Sequence, residues 1–266
     1  MKHLLIIGCG NMGGAMLAGW LAAGLEPSRF SILDPALESA PDGVTIYREA
    51  EAAKGAGHDA VMLGFKPQQL GALGPGLQQL TGKGVFLTSL LAGITLAQLK
   101  NAFPGADAHV RVMPNLAARI GKSPIILAQS GLNEDAREGV FAFFDHLGMA
   151  TWLEDEAKFD IVTALAGSGP GFVYRFIDAL AEAAVNLGVD QDQATRLAVA
   201  MVDGASSLAS GAEVSPGTLA DRVASPGGMT REGMNVLDAD KALVRLLTEA
   251  LDATAKRGSE LSAGVD

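Results

Sequence analysis

The chain has 266 residues, a formal net charge of -10, one cysteine, 48% hydrophobic and 5% aromatic residues. That composition excludes disorder, a phosphate-tracking nucleic-acid face or an anionic membrane surface as partner, and a disulfide framework or cysteine-rich zinc site. Its 33 glycines exceed the usual share of about 7%, with no collagen-like period to absorb them.

No charge occurs between Lys2 and Glu26. A signal peptide or membrane span would read this way, but Gly8, Gly10, Asn11, Gly13 and Gly14 break the apolar run. It reads instead as a buried strand over 4–7, a glycine turn and a helix over 11–23, in a soluble, cytoplasmic protein. Further apolar runs at 30–33, 60–65, 85–89, 108–112, 125–127 and 150–153 alternate with helical candidates at 48–56, 67–80, 95–103 and 133–147. Continuous apolar strands alternating with helices predict a parallel sheet covered on both faces.

Beyond residue 155 the strand-like runs stop. Phe172, Phe176, Ile177, Leu180, Ala184 and Leu187 share one helix face, as do Leu197, Ala198, Met201, Val202 and Ala205, and again Leu243, Leu246, Leu247, Ala250 and Leu251. Ser215-Pro216 reads as an N-cap followed by proline at the first helical position. The expected organisation is an α/β domain over 1–156 and an all-helical domain over 157–266, with a frayed tail from 258. So small and apolar a helical domain is expected to pack against a partner subunit. His3, His58, His109 and His146 are scattered without ligand spacing, so no metal site is expected.

Gly8-Cys9-Gly10-Asn11-Met12-Gly13 is a G-x-G-x-x-G between a strand and a helix. There Gly8 allows the tight turn, Gly10 lets backbone approach a pyrophosphate, and Gly13 lets helix and strand pack closely. The helix start adds free N–H donors and a positive dipole end. Cys9 reads as a small filler in a crowded turn. Asp34 ends the second strand, where an acidic residue grips the adenosine ribose of NAD. A 2′-phosphate would meet like charge there, at about 1 kcal/mol in water and about 4 kcal/mol at an effective dielectric near 20, so Asp34 leans toward NADH. Two more glycine-rich segments, at 166–171 and 225–230, each precede a helical pattern and could present backbone amides to an anion.

With these segments the chain resembles the pyrroline-5-carboxylate reductase family along essentially its whole length. The resemblance rests on the first glycine loop, Lys66-Pro67-Gln68, Ala92-Gly93-Ile94, Arg111-Val112-Met113-Pro114-Asn115, Thr163-Ala164-Leu165-Ala166-Gly167-Ser168-Gly169-Pro170 and Arg222-Val223-Ala224-Ser225-Pro226-Gly227-Gly228. It implies a Rossmann-type doubly wound sheet followed by a helical dimerisation domain, a homodimer that assembles into rings of five dimers, and an active site between the cofactor domain and helical loops at the dimer interface. The implied reaction is hydride transfer from NADPH or NADH to the imine of 1-pyrroline-5-carboxylate, giving L-proline. By carry-over Gly8, Cys9, Gly10, Asn11, Met12 and Gly13 bind the cofactor, joined by Asp34, Gly64, Phe65, Lys66, Pro67, Ala92, Gly93 and Arg222. Glu213, Ser225, Gly227, Gly228, Met229 and Thr230 bind substrate, with Thr230 facing the ring nitrogen as the catalytic residue. Leu116-Ala117 stands where the family more often has threonine-proline, and Met229 where it has alanine or threonine. Asp34-Pro35-Ala36 departs from the serine, asparagine or arginine of NADPH-using members.

Three other readings compete. Other imine reductases are close in kind. A β-hydroxyacid dehydrogenase would need a basic lysine in the helix after the second glycine segment, but 171–186 has none and Arg175 stays protonated. A non-enzymatic cofactor-sensing module would not need loops for both ligands.

Overall fold

A computed structural model describes residues 1–263. It divides into two compact units, Met1–Ser168 with the C-terminal segment from Ala253, and Gly169–Asp252.

The first unit holds an eight-stranded sheet: β1 (Leu4–Ile7), β2 (Phe30–Leu33), β3 (Thr45–Tyr47), β4 (Ala60–Leu63), β5 (Phe86–Ser89), β6 (Ala108–Met113), β7 (Ser123–Ser130) and β8 (Gly148–Trp152). Their order across the sheet is β3-β2-β1-β4-β5-β6-β7-β8. β1 through β6 are parallel, as the apolar runs predict. β7 pairs antiparallel with β6, and β8 runs parallel to β7. The sheet is therefore mostly parallel rather than wholly so. The physical reason is the β6–β7 connection, a 3-10 turn over Leu116–Ile120, too short for the crossover that parallel neighbours need. The sequence pattern also misses β3, a three-residue edge strand without a fully buried position.

Helices cover both faces. α1 (Asn11–Ala22) and α5 (Glu134–Asp145) lie on the face built from Leu4, Ile6, Ile32 and Val110. α3 (Leu70–Leu77) and α4 (Leu96–Ala102) lie on the face built from Leu5, Ile7, Val61 and Leu87, while the short α2 (Ala50–Ala53) fills in beside β3. The stretch expected as one helix over 67–80 runs instead as a 3-10 turn over Pro67–Gln69, α3 with Pro75 inside it, and a 3-10 turn over Gln78–Leu80. The few aromatics are concentrated. Trp20 is fully buried, donates Nε1–H to the Phe143 carbonyl at 3.0 Å, and packs on Phe30, Phe143 and Phe144 with centroids 5.5, 4.8 and 5.8 Å away.

His109 lies buried on β6, its Nε2 3.0 Å from the Phe103 carbonyl. Burial holds its pKa below the ordinary 6.5, Lys100 adds to the lowering, and the Phe103 contact opposes it. Burial, with His58 nearby, also lowers His3. For a base with a depressed folded pKa, the unfolded chain takes the proton first. Both histidines thus contribute stability that is complete above pH 6.5 and is lost as pH falls below it. Melting temperatures should drop between pH 7.5 and 5, and His109→Gln should drop less steeply than the parent.

α6 (Phe159–Ala166) closes the first unit. The second unit comprises α7 (Gly169–Asn186), α8 (Gln191–Ser210), α9 (Pro216–Val223), α10 (Met229–Asp238) and the start of α11 (Ala242–Ala263). α7 and α8 meet through Ala181, Ala194 and Ala198. α11 continues through 258–263, where a frayed tail is expected; 264–266 lie outside the described residues.

Candidate active site

In the first unit the strand registers decide which loops converge. Ile7 stands opposite Leu33 and Leu63, and Leu63 opposite Ser89. Gly8, Asp34, Gly64 and Leu90 are thus the first residues beyond four neighbouring carboxyl ends. The ladder carries one step further, with Gly8 N–H on the Leu33 carbonyl at 3.0 Å, Gly64 N–H on Ile7 at 2.7 Å and Leu90 N–H on Leu63 at 2.9 Å. Strand order reverses between β1 and β4, which is where open α/β sheets bind ligands.

The glycines there do different jobs. Gly8 has φ +83°, and a Cβ on it would stand 2.9 Å from the Phe65 nitrogen. A Cβ on Gly13 would stand 3.0 Å from the Gly8 carbonyl. Gly10 is the exception: a Cβ there meets no atom within 4 Å. Gly10 is also the N-cap of α1, with no side chain bonded into the first turn. Open space faces the start of α1 beside Asn11 and Met12, whose amides an anion could take. This cradle fits a dinucleotide pyrophosphate.

Asp34 accepts the Cys9 N–H on Oδ2 at 3.0 Å and the Ala36 N–H on Oδ1 at 2.9 Å. Its carboxylate is locked to the glycine turn with acceptor capacity to spare. Arg48, unremarked in the sequence, donates to the carbonyls of Asp34, Leu37 and Glu38 and so braces the loop after β2. Burial, reinforced by Asp34, pushes the Cys9 thiol up to about 11, so it is a protonated filler and a poor nucleophile. Phe65 and Pro67 are half-buried beyond β4. Lys66 is exposed, its backbone N–H on Gln69 Oε1 at 3.1 Å. Beyond β5, Ala92 is exposed and Gly93 is buried with φ +79°.

Two polar residues of the Arg111–Asn115 motif brace α6. Arg111 bonds Glu156 at 2.9 Å, just before α6, and stacks on Phe159 with its guanidinium carbon 3.7 Å from the ring centroid. Asn115 Nδ2–H reaches the Ala166 carbonyl at 2.9 Å.

The second unit carries the other loop. Gly227 has φ +71°, Gly228 N–H bonds the Ser225 carbonyl at 2.9 Å, and Gly228 is the N-cap of α10 without a side-chain cap. The Met229 and Thr230 amides therefore open the helix, and both residues are exposed, Met229 at 94%. A side chain absent from the sequence reading, Arg231, fixes the loop's ends. It donates to Asp221 Oδ1 at 2.8 Å and to the Ala224 carbonyl at 3.1 Å. No sequence pattern announces it, because one of its two partners is a backbone carbonyl. Glu213 lies exposed between α8 and α9, and Arg222 is exposed on α9. Large apolar side chains stand in solvent on this unit, among them Tyr174, Phe176, Leu208, Val236 and Leu246. Among the described residues no cluster of His, Cys, Asp or Glu could hold a metal, and no helix is long and apolar enough to cross a membrane.

Residues 156–261 match the family model for pyrroline-5-carboxylate reductase dimerisation, and residues 3–93 match the model described as NADP oxidoreductase, coenzyme F420-dependent. The chain is 31% identical to a pyrroline-5-carboxylate reductase of Pseudomonas aeruginosa, over 98% of this chain and 97% of that protein. It is 33% identical to the Pisum sativum protein of the same name, over 96% and 94%. Among solved structures, the pyrroline-5-carboxylate reductase of Coxiella burnetii superposes with a TM-score of 0.90 at 28% identity, covering 98% of both chains.

Proposed function

The chain belongs to the pyrroline-5-carboxylate reductase family, and from that premise we propose how its residues divide the reaction. It is an NAD(P)H-dependent oxidoreductase that reduces the C=N bond of 1-pyrroline-5-carboxylate to L-proline, a step of proline biosynthesis. The observation that carries the assignment of roles is a pair of uncapped helix starts, one opened by Gly10 and the other by Gly228. The α1 cradle, Gly8 to Gly13, takes the cofactor pyrophosphate, with Asp34 on the adenosine ribose. Gly64, Phe65, Lys66, Pro67, Ala92 and Gly93 border the cofactor, and Arg222 is assigned a cofactor contact by the family resemblance. Ser225, Gly227, Gly228 and Met229 hold the substrate carboxylate with backbone amides, and Glu213 contacts the same ligand.

When bound in the α1 cradle, NADH or NADPH would supply a hydride for the imine carbon. The protein's part is to orient the imine and exclude competing geometries. A protonated imine is already electrophilic, so no strong acid is required. The Thr230 hydroxyl hydrogen-bonds the ring nitrogen and holds its proton. Thr230→Ala should cut kcat/KM by roughly 10-fold to 100-fold; unchanged turnover and substrate KM would remove Thr230 from the mechanism. Purified protein should oxidise NADH or NADPH only when 1-pyrroline-5-carboxylate is added.

NADH is the proposed preferred cofactor. Support comes from the Asp34 carboxylate beside the glycine turn and from Arg48, already committed to three carbonyls. The parent should show the larger kcat/KM with NADH. Asp34→Ser should move the NADPH/NADH ratio toward NADPH by about tenfold or more, since removing one contact-range repulsion is worth a few kcal/mol at most. A tenfold NADPH preference in the parent sinks this role for Asp34.

The chain carries a dimerisation region and self-associates through it. A division at 156/157 is proposed for the domains, supported by the family match that begins at residue 156. Assembly into five dimers and a cytoplasmic location complete the proposal; a light-scattering mass near ten protomers tests the first. The net charge of -10 supports neither a nucleic-acid nor a membrane partner.

A further inference from the structure

We infer that Glu156 is a positioning residue for the cofactor-side loop that carries Ala92 and Gly93. The inference rests on the proposed placement of those two residues at the cofactor.

The loop between β5 and α4 is held on its inner side by Leu91 and Ile94, both buried. Its far end is the start of α4. There Thr95 and Gln98 form a reciprocal capping box that satisfies the backbone amides of both residues. The box leaves out the Leu96 N–H. That donor goes instead to Glu156 Oε1 at 2.8 Å, sixty residues along the chain. The same oxygen accepts Arg111 Nη1–H at 2.9 Å. Arg111 stands on β6 opposite Ser89, the last residue of β5 and the point where the loop leaves the sheet. Its side chain is 5% exposed and fixed against Phe159. One carboxylate oxygen therefore ties the loop's exit to the strand beside its entrance.

Hydrogen bonds to a charged acceptor are the stronger kind, and a buried guanidinium that loses its partner is costly. Glu156 is thus a specific clip rather than a surface pair. A pocket of about 310 Å³ opens beside it, lined by Thr95, Arg111, Glu156, Ala157, Asp160 and Ser259. A loop released from the clip has room to move, and with it the exposed Ala92.

The test uses the full-length protein with Glu156→Ala and Glu156→Gln. Glu156→Asp is the second variant should alanine fail to fold: it keeps a carboxylate near Arg111 but falls one methylene short of Leu96. Peptides covering 90–99 should exchange amide hydrogen at least about fivefold faster in the alanine and aspartate variants, while those covering β1 and β4 keep parent rates. Cofactor Kd, by fluorescence titration, should rise about fivefold or more, with the KM for 1-pyrroline-5-carboxylate within about twofold. Glu156→Gln, which retains an oxygen acceptor, should recover most of both. Unchanged exchange over 90–99, or equal acceleration across the whole sheet, overturns the clip. Faster exchange with unchanged cofactor Kd overturns the positioning role. A parent that binds neither NADH nor NADPH sinks the functional reading, which exchange does not measure.

Discussion

Gly10→Glu should yield a protein that folds and melts like the parent but has lost its cofactor. The added side chain enters space where a Cβ meets no atom within 4 Å, so the fold loses nothing to accommodate it. Gly10 has φ -73°, outside the left-handed region that demands glycine. Yet the carboxylate would project over the start of α1, where the pyrophosphate is proposed to sit. Like charges at contact distance repel by about 4 kcal/mol at an effective dielectric near 20, which corresponds to roughly a thousandfold in affinity. Fluorescence titration should show at least about a hundredfold weaker NADH and NADPH binding, with a melting temperature within about 2 °C of the parent. Parent-like affinity would place the pyrophosphate elsewhere.

Gly64→Ala should cost stability, which Gly10→Glu does not. A Cβ there would stand 2.4 Å from the Gly8 carbonyl oxygen and 3.4 Å from that of Ile7. Both obstacles are backbone, and Gly64 N–H is bonded to Ile7 at 2.7 Å, so β1 and β4 cannot separate without losing their ladder. The expected cost is about 3 kcal/mol, a fall of roughly 6–12 °C in melting temperature for a unit of this size. Cofactor affinity should fall as well, because the displaced carbonyl belongs to the first glycine turn. A variant that melts with the parent would show that the two strand ends part more easily than this packing allows.

The contrast marks what the sequence could and could not say. Motif spacing identified Gly8, Gly10 and Gly13 and gave each a task, because G-x-G-x-x-G between a strand and a helix constrains local backbone. Gly64 was placed at the cofactor only by resemblance. Its close approach to Gly8 depends on the β1–β4 register, a pairing between segments more than fifty residues apart. Continuous apolar runs showed the central strands, buried on both faces. They could not show β3, which is half-exposed, nor the reversed direction of β7, which depends on the length of a turn. The braces were the least legible. Arg48, Glu156 and Arg231 each act on backbone carbonyls or amides of a distant or neighbouring loop, and no side-chain pattern announces a partner that is backbone. At Arg111 and Asn115 the motif was visible, but its work on α6 was not.

The sparse interior of the helical unit has a consequence for abundance. Ala181, Ala194, Ala198 and Ala224 are its buried apolar residues, while Leu187, Leu208, Met229 and Val236 are each at least 72% exposed on the single chain. Four alanines bury too little apolar surface to offset the ordering of more than eighty residues. Folding of this part should then draw on association through the dimerisation region, which would make its stability depend on protein concentration. In a cell making little of this enzyme, folded protein should accumulate more steeply than the chain itself, since the helical unit gains its cover only when two translation products meet. Diluted extracts should lose specific activity for the same reason.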